Sequence, residues 1–150
     1  MSESEPEQRL TPGMIVGDYH LTELLQEGTT TRSWSAMQIS VNREVVIDSL
    51  NRAYQSDTAI INTFLSDVRT KAKVDHPLIG SVFEAVREEN ICFYTREKIA
   101  GKSLQDYINS EQQLSPEDVV HVIKQVSEAN LYLENHSVAS LPLAANQVYI

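Results

Sequence analysis

Apolar and polar residues alternate in the first third of the chain and then fall into a helical spacing, which predicts strands first and a helix after them. Tyr19 to Gln26 alternates imperfectly, with Leu21, Leu24 and Leu25 available to a core. Arg32 to Ser40 alternates better: Trp34, Ala36 and Gln38 share one face, and Ser35, Met37 and Ile39 the other. Glu44 to Leu50 is a short apolar strand around Val45, Val46 and Ile47. Gly28 among three threonines lies between the first two runs, and Val41-Asn42-Arg43 between the second and third. Connections this short predict an antiparallel meander.

Beyond Tyr54 the apolar positions Ile60, Ile61, Phe64, Leu65, Val68 and Ala72 form one helical face. Ser56 or Asp57 can cap its start, and His76-Pro77 stops it, because proline disfavours helical geometry in the residue before it. Two more strands, Ile79 to Arg87 and Ile91 to Glu97, flank the polar turn Glu88-Glu89-Asn90. Gly101 breaks the chain, and Leu104, Tyr107 and Ile108 suggest a short helix. Ser115-Pro116-Glu117-Asp118 is the clearest helix start: a capping serine, proline at the first helical position, and acids at the positive end of the dipole. Val119, Val122, Ile123, Val126 and Leu133 then mark an apolar stripe on a helix of about five turns. Residues 139–150, with Pro142, predict a loop leading into a strand. Residues 1–11 lack apolar periodicity and predict a flexible acidic tail, with order starting at Pro12-Gly13.

The chain has 150 residues, enough for one domain or part of a larger one. Its formal net charge is −9, with no basic cluster in the sequence, so neither nucleic acid nor an anionic membrane surface is an expected partner. A hydrophobic content of 41% suits a globular chain. One cysteine, Cys92, leaves no internal disulfide and no cysteine-rich metal site, and it predicts a small buried apolar group. His20, His121 and His136 show no metal-ligand spacing, and His76 is expected to pack locally at the helix exit. Asp57, Asp67 and Asp75 spread around the first helix and predict a solvated surface rather than a metal cluster. No apolar run approaches the ~18 residues of a membrane span, so no insertion is expected and the cytoplasm is the expected compartment.

The order of three meander strands, helix, two strands, glycine hinge and two helices resembles a protein-kinase small lobe followed by the start of the large lobe. Met14-Ile15-Val16-Gly17-Asp18-Tyr19 is similar to the lead-in of bacterial serine/threonine kinases, and Val45-Val46-Ile47-Asp48 to the V-A-I-K strand. Phe64-Leu65-Ser66-Asp67, followed by Val74-Asp75-His76-Pro77, resembles the C-helix and its exit. Glu97-Lys98-Ile99-Ala100-Gly101 resembles the hinge. The resemblance implies an α+β fold: a kinase-like small lobe over residues 12–98, with a five-stranded antiparallel sheet and the C-helix, then hinge and partial helical large lobe over 99–150, stopping before the D-F-G region.

The resemblance also shows where this chain departs from the pattern. Phosphoryl transfer depends on positioning and charge neutralisation. The glycine loop falls on Gln26, Gly28 and Thr31, so Gly28 alone remains, either as a degenerate phosphate loop or, the favoured reading, as a hairpin turn. The strand lysine falls on Asp48. At ~4 Å and an effective dielectric near 20, a unit-charge pair is worth about 4 kcal/mol, so reversing the sign is worse than deleting the charge. The C-helix glutamate falls on Asp67. In the catalytic loop Leu141 takes the aspartate position and Leu143 the lysine position, while Asn146 keeps the metal-ligand asparagine, although a plain loop residue is the simpler reading. Glu97 and Asp106, the remaining candidate bases, fall on the hinge and the helix after it.

The alignment places Arg96 at the gatekeeper position near Asp48 and Asp67. It is expected either to pair with Asp48, also reaching Asp67, or to lie exposed on its strand. In the first case Gly28, Val46, Arg96 and Glu97 line a vestigial pocket closed by charge and by the volume of Val46. From this the sequence predicts an inactive pseudokinase-like domain: not an enzyme, with no cofactor and no metal, acting as a regulatory and interaction module in bacterial signalling. The alternative is a nucleotide sensor that binds ATP weakly. The expected partner is a protein or a second copy, through the helix bearing Val119, Val122, Ile123 and Val126.

Overall fold

A computed structural model describes residues 9–88, 90–138 and 143–150 of the chain. They fall into two compact units, one comprising the residues up to 73 together with 81–98, the other 74–80 with 99–150.

In the first unit six antiparallel strands form one sheet in the order β1-β2-β3-β4-β6-β5. They are β1 (Ile15–Val16), β2 (Tyr19–Glu27), β3 (Thr31–Gln38), β4 (Arg43–Leu50), β5 (Val82–Glu88) and β6 (Ile91–Glu97). The sheet thus has one strand more than the five expected. The addition is the two-residue β1, too short to leave an alternation pattern, which pairs back on Tyr19 and His20. Order also begins earlier than Pro12-Gly13: Leu10 packs against the core, and the Gly13 N–H donates to Leu21 O at 2.8 Å. Residues 1–8 of the expected tail lie outside the described residues.

The central strand β4 is buried on both faces from Val45 to Leu50. Its alternation divides two cores. On one face Val45 and Ile47 join Tyr19, Leu21, Trp34, Ala36 and Phe93. Trp34 is held there by its Nε1–H, which donates to Ser49 Oγ at 3.3 Å, and Tyr19 meets Phe93 edge to face at 5.8 Å. On the other face Leu50 and Cys92 meet Ile61 of helix α1 (Thr58–Lys71), with Ile60, Phe64 and Leu65 packed around them. Leu24 and Leu25 do not enter a core: β2 carries register shifts after Leu21 and Leu24, which break its alternation and leave both leucines exposed.

Helix α1 starts where its capping residue predicts: Asp57 accepts from the Ile60 N–H at 3.1 Å. It ends at Lys71, before His76-Pro77. In the second unit α2 (Leu104–Asn109) has a capping box between Ser103 and Asp106, and α3 (Pro116–Asn135) begins at the Ser115 cap. His76 Nδ1 accepts from the Leu78 N–H at 3.1 Å, and its ring lies 4.8 Å from the Tyr132 ring of α3. Gly101, at φ +103°, lets Lys102 pair with Ile150. The expected strand near the C-terminus is a 3-10 turn, Ala145–Gln147, followed by a single bridge from Tyr149 to Ser103.

Candidate functional site

The face of the sheet beneath α1 gathers polar groups that strand register brings together. Asp48 of β4 lies opposite Ser33 of β3 on one side and Tyr94 of β6 on the other. Val46 lies opposite Ser35 and Arg96. Residues two apart on a strand share a face, so Asp48 and Arg96 become diagonal neighbours. Arg96 Nε donates to Asp48 Oδ2 at 2.6 Å, and the Ser33 hydroxyl donates to Asp48 Oδ1. Asp48 is thereby satisfied at both oxygens although its side chain is only 8% exposed; that of Arg96 is 37% exposed. A buried carboxylate without such partners would be strongly disfavoured.

The pair shapes its surroundings. The Tyr94 hydroxyl is pushed well above the ordinary phenol range, first by burial and then by the Asp48 charge beside it. Lys98, at the end of the same face, places Nζ 3.4 Å from both Ser35 Oγ and Glu44 Oε1. The Asp48 carboxylate in the central strand is thus paired with the guanidinium of the neighbouring strand.

The other predicted site residues are placed as follows. Val46 is buried in β4. Asp67, by contrast, is drawn into its own helix, pairing with Lys71 at 2.8 Å. Gly28 occupies the β2–β3 turn. Its N–H donates to Thr31 O at 2.8 Å, and the Asn51 side chain ties the turn down through Gly28 O and Thr29 O. A β-carbon on Gly28 would stand 3.0 Å from Thr31 O, so the turn itself accounts for the glycine. Glu97 closes β6 by accepting from the Ser81 N–H at 3.0 Å. Asn146 is exposed in the 3-10 turn. Leu141 lies outside the described residues, and Leu143 is exposed. Among the described residues no cluster of three or more acidic, histidine or cysteine side chains could hold a metal.

Sequence reasoning missed Ser33 and Tyr94 as partners of Asp48. Both are visible only through register: they are the residues directly across from it. It also missed Gln55, which clips β6 to the end of β4, accepting from the Cys92 N–H at 2.8 Å and donating to Leu50 O at 2.6 Å.

A family model for protein tyrosine and serine/threonine kinases matches residues 19–150. The serine/threonine-protein kinase PrkC of Bacillus subtilis is 24% identical over 136 residues, covering 91% of this chain and 21% of that protein. The kinase pkn3 of Myxococcus xanthus is 27% identical over 116 residues, covering 77% and 21%. PknA of Mycobacterium tuberculosis is 25% identical over 120 residues, covering 77% and 28%. The chain thus spans between a fifth and three tenths of the length of these curated relatives. The matches overturn the expectation that the chain is not an enzyme: the family model and the relatives' names both point to a kinase-type enzyme, of which this chain corresponds to one part.

Proposed function

This chain belongs to the protein tyrosine and serine/threonine kinase family, and we propose that it is the regulatory and protein-interaction part of a bacterial signalling enzyme of that family. Its small-lobe portion spans 12–98, and its hinge and large-lobe portion 99–150. Serine/threonine phosphorylation, the activity in the relatives' names, is extended by this proposal to the whole protein. The role proposed for the present residues is to govern nucleotide access through Asp48, Arg96 and Val46.

The observation that carries this reading is the 2.6 Å ion pair between Arg96 and Asp48. A cation at position 48 would attract nucleotide phosphates; an anion there repels them, and the guanidinium beside it is already engaged. The proposed compartment is the cytoplasm. No described helix is long and apolar enough to cross a membrane. The proposed protein-contact surface is the α3 face bearing Val119, Val122, Ile123 and Val126; Val119 is 41% and Ile123 59% exposed.

The test is a titration with ATP, with and without magnesium, followed by amide shifts and melting temperature. Unchanged spectra at millimolar nucleotide support access closed by the ion pair. A saturable response centred on Gly28 and Val46 means that the pair does not exclude nucleotide, and the domain is then a nucleotide sensor. Assay of phosphoryl transfer by the full-length protein tests the extended activity separately.

A further inference from the structure

Asp67 of α1 does not reach the Asp48–Arg96 pair; its carboxylate is spent on Lys71, 2.8 Å away on the same helix. Tyr94 makes the connection instead. It stands directly across from Asp48 in the β4–β6 register, and residues paired across strands share a face. Two side chains of α1 hold its ring. The Phe64 ring centroid lies 5.6 Å from that of Tyr94, with the planes at 49°. Lys71 Nζ lies 5.6 Å from the same centroid. Both distances fall in the range of aromatic and cation–π attraction. Phe64 and Lys71 are about two helical turns apart, so they share one face of α1.

The phenol hydroxyl at the far end of that ring hydrogen-bonds the Asp48 carboxylate, whose other donors are the Arg96 guanidinium and the Ser33 hydroxyl. One rigid ring therefore has its body against α1 and its tip on the ion pair. A tyrosine side chain turns about two torsions, and engaging both body and tip fixes them. Lifting α1 takes Phe64 and Lys71 off the ring, frees it to turn and carries the hydroxyl from Asp48. The hydroxyl and the guanidinium hold the carboxylate in one orientation, so loss of the first loosens the second. The effect is reciprocal, because whatever α1 does to the pair the pair does to the seating of α1.

We propose that Tyr94 couples the seating of α1 to the Asp48–Arg96 pair, so that lifting the helix loosens the pair. The consequence for nucleotide rests on the role in access proposed above; the coupling does not. The experiment follows the Arg96 Nε–H by NMR in the 150-residue chain, reading its shift and its exchange with water. In Lys71→Met and in Phe64→Leu the resonance should move and its exchange should quicken about fivefold. Tyr94→Phe keeps the ring and removes the hydroxyl, and in that background the same two substitutions should leave the Arg96 signal unmoved. Lys71 has a side chain 41% exposed, so its replacement keeps the test decisive if Phe64→Leu fails to fold. Exchange unchanged or slowed in both α1 variants, or quickened equally in the Tyr94→Phe background, overturns the coupling. ATP titration of Lys71→Met tests the access role separately. A response stronger than that of the native chain supports both readings. An unchanged response beside a quickened Arg96 signal upholds the coupling and counts against the pair as the gate.

Discussion

Arg96 and Asp48 sit diagonally across two neighbouring strands, and the guanidinium of one meets the carboxylate of the other at 2.6 Å. The contact joins β4 to β6 on the face that α1 covers, so it is both a structural clip and the central feature of the proposed function. Replacing Arg96 by methionine removes the charged donor to a nearly buried carboxylate. Loss of about 1–3 kcal/mol is expected, a fall of about 2–4 °C in melting temperature per kcal/mol. Asp48→Asn should restore part of it in the double variant. A double-mutant cycle by urea unfolding measures the coupling, and strictly additive losses would show that the pair is not energetically linked.

Stability should decline in alkali. Burial, then the hydrogen bond to Glu84, push the Tyr19 phenol up to about 12. Its folded value is thus above its unfolded value, and the neutral phenol is favoured by folding. The stabilisation is complete below the unfolded value near 10 and is lost as pH rises from about 10 towards 12. Tyr94, raised in the same direction, adds to the loss. Urea midpoints followed across this range should fall, and Tyr19→Phe should flatten the fall.

Gln55 should matter more than a polar residue at a loop–helix junction usually does. Gln55→Ala leaves the Cys92 N–H and the Leu50 carbonyl at the edge of the second core without their partner. A cost of about 1–3 kcal/mol is expected. Hydrogen exchange at the Cys92 amide should quicken, and the Cys92 thiol, which burial pushes up, should become more reactive to alkylation. Unchanged exchange at Cys92 would count against the clip.

Gly101→Ala should release the C-terminal pairing. The backbone there has φ +103°, and a β-carbon would stand 2.4 Å from Ile150 O, which only a shift of backbone can relieve. The Lys102–Ile150 hydrogen bonds, 2.9 and 3.3 Å in the native chain, should exchange quickly in the variant, while the six-stranded sheet keeps its protection.

Much of the fold was legible because local chemistry and tertiary structure agree. Asp57 and Ser115 cap where their side chains predict. Trp34 and Ala36 turn inward with the alternation. Disagreement came where a local pattern was too short or was interrupted. Two-residue β1 carries no period, and the shifts in β2 turn Leu24 and Leu25 outward. The kinase resemblance drew attention to Asp48 and Arg96, but the expectation that the chain is not an enzyme was overturned by the family model and the kinase-named relatives.

The sequence by itself determined the order of the main strands and helices, the Ser115 cap, the apolar strand at the centre and the sign of the charge at position 48, because each depends on neighbours a few residues away. Tertiary structure alone decided which of Asp48's possible partners it meets. Ser33 and Tyr94 are selected by cross-strand register, and Asp67 turns to Lys71 because residues four apart on a helix are closer than residues on separate elements. It also decided that Arg9, Arg32 and Arg52 share one cavity. Charges scattered along a chain show no cluster in sequence; only folding brings these three to one cavity.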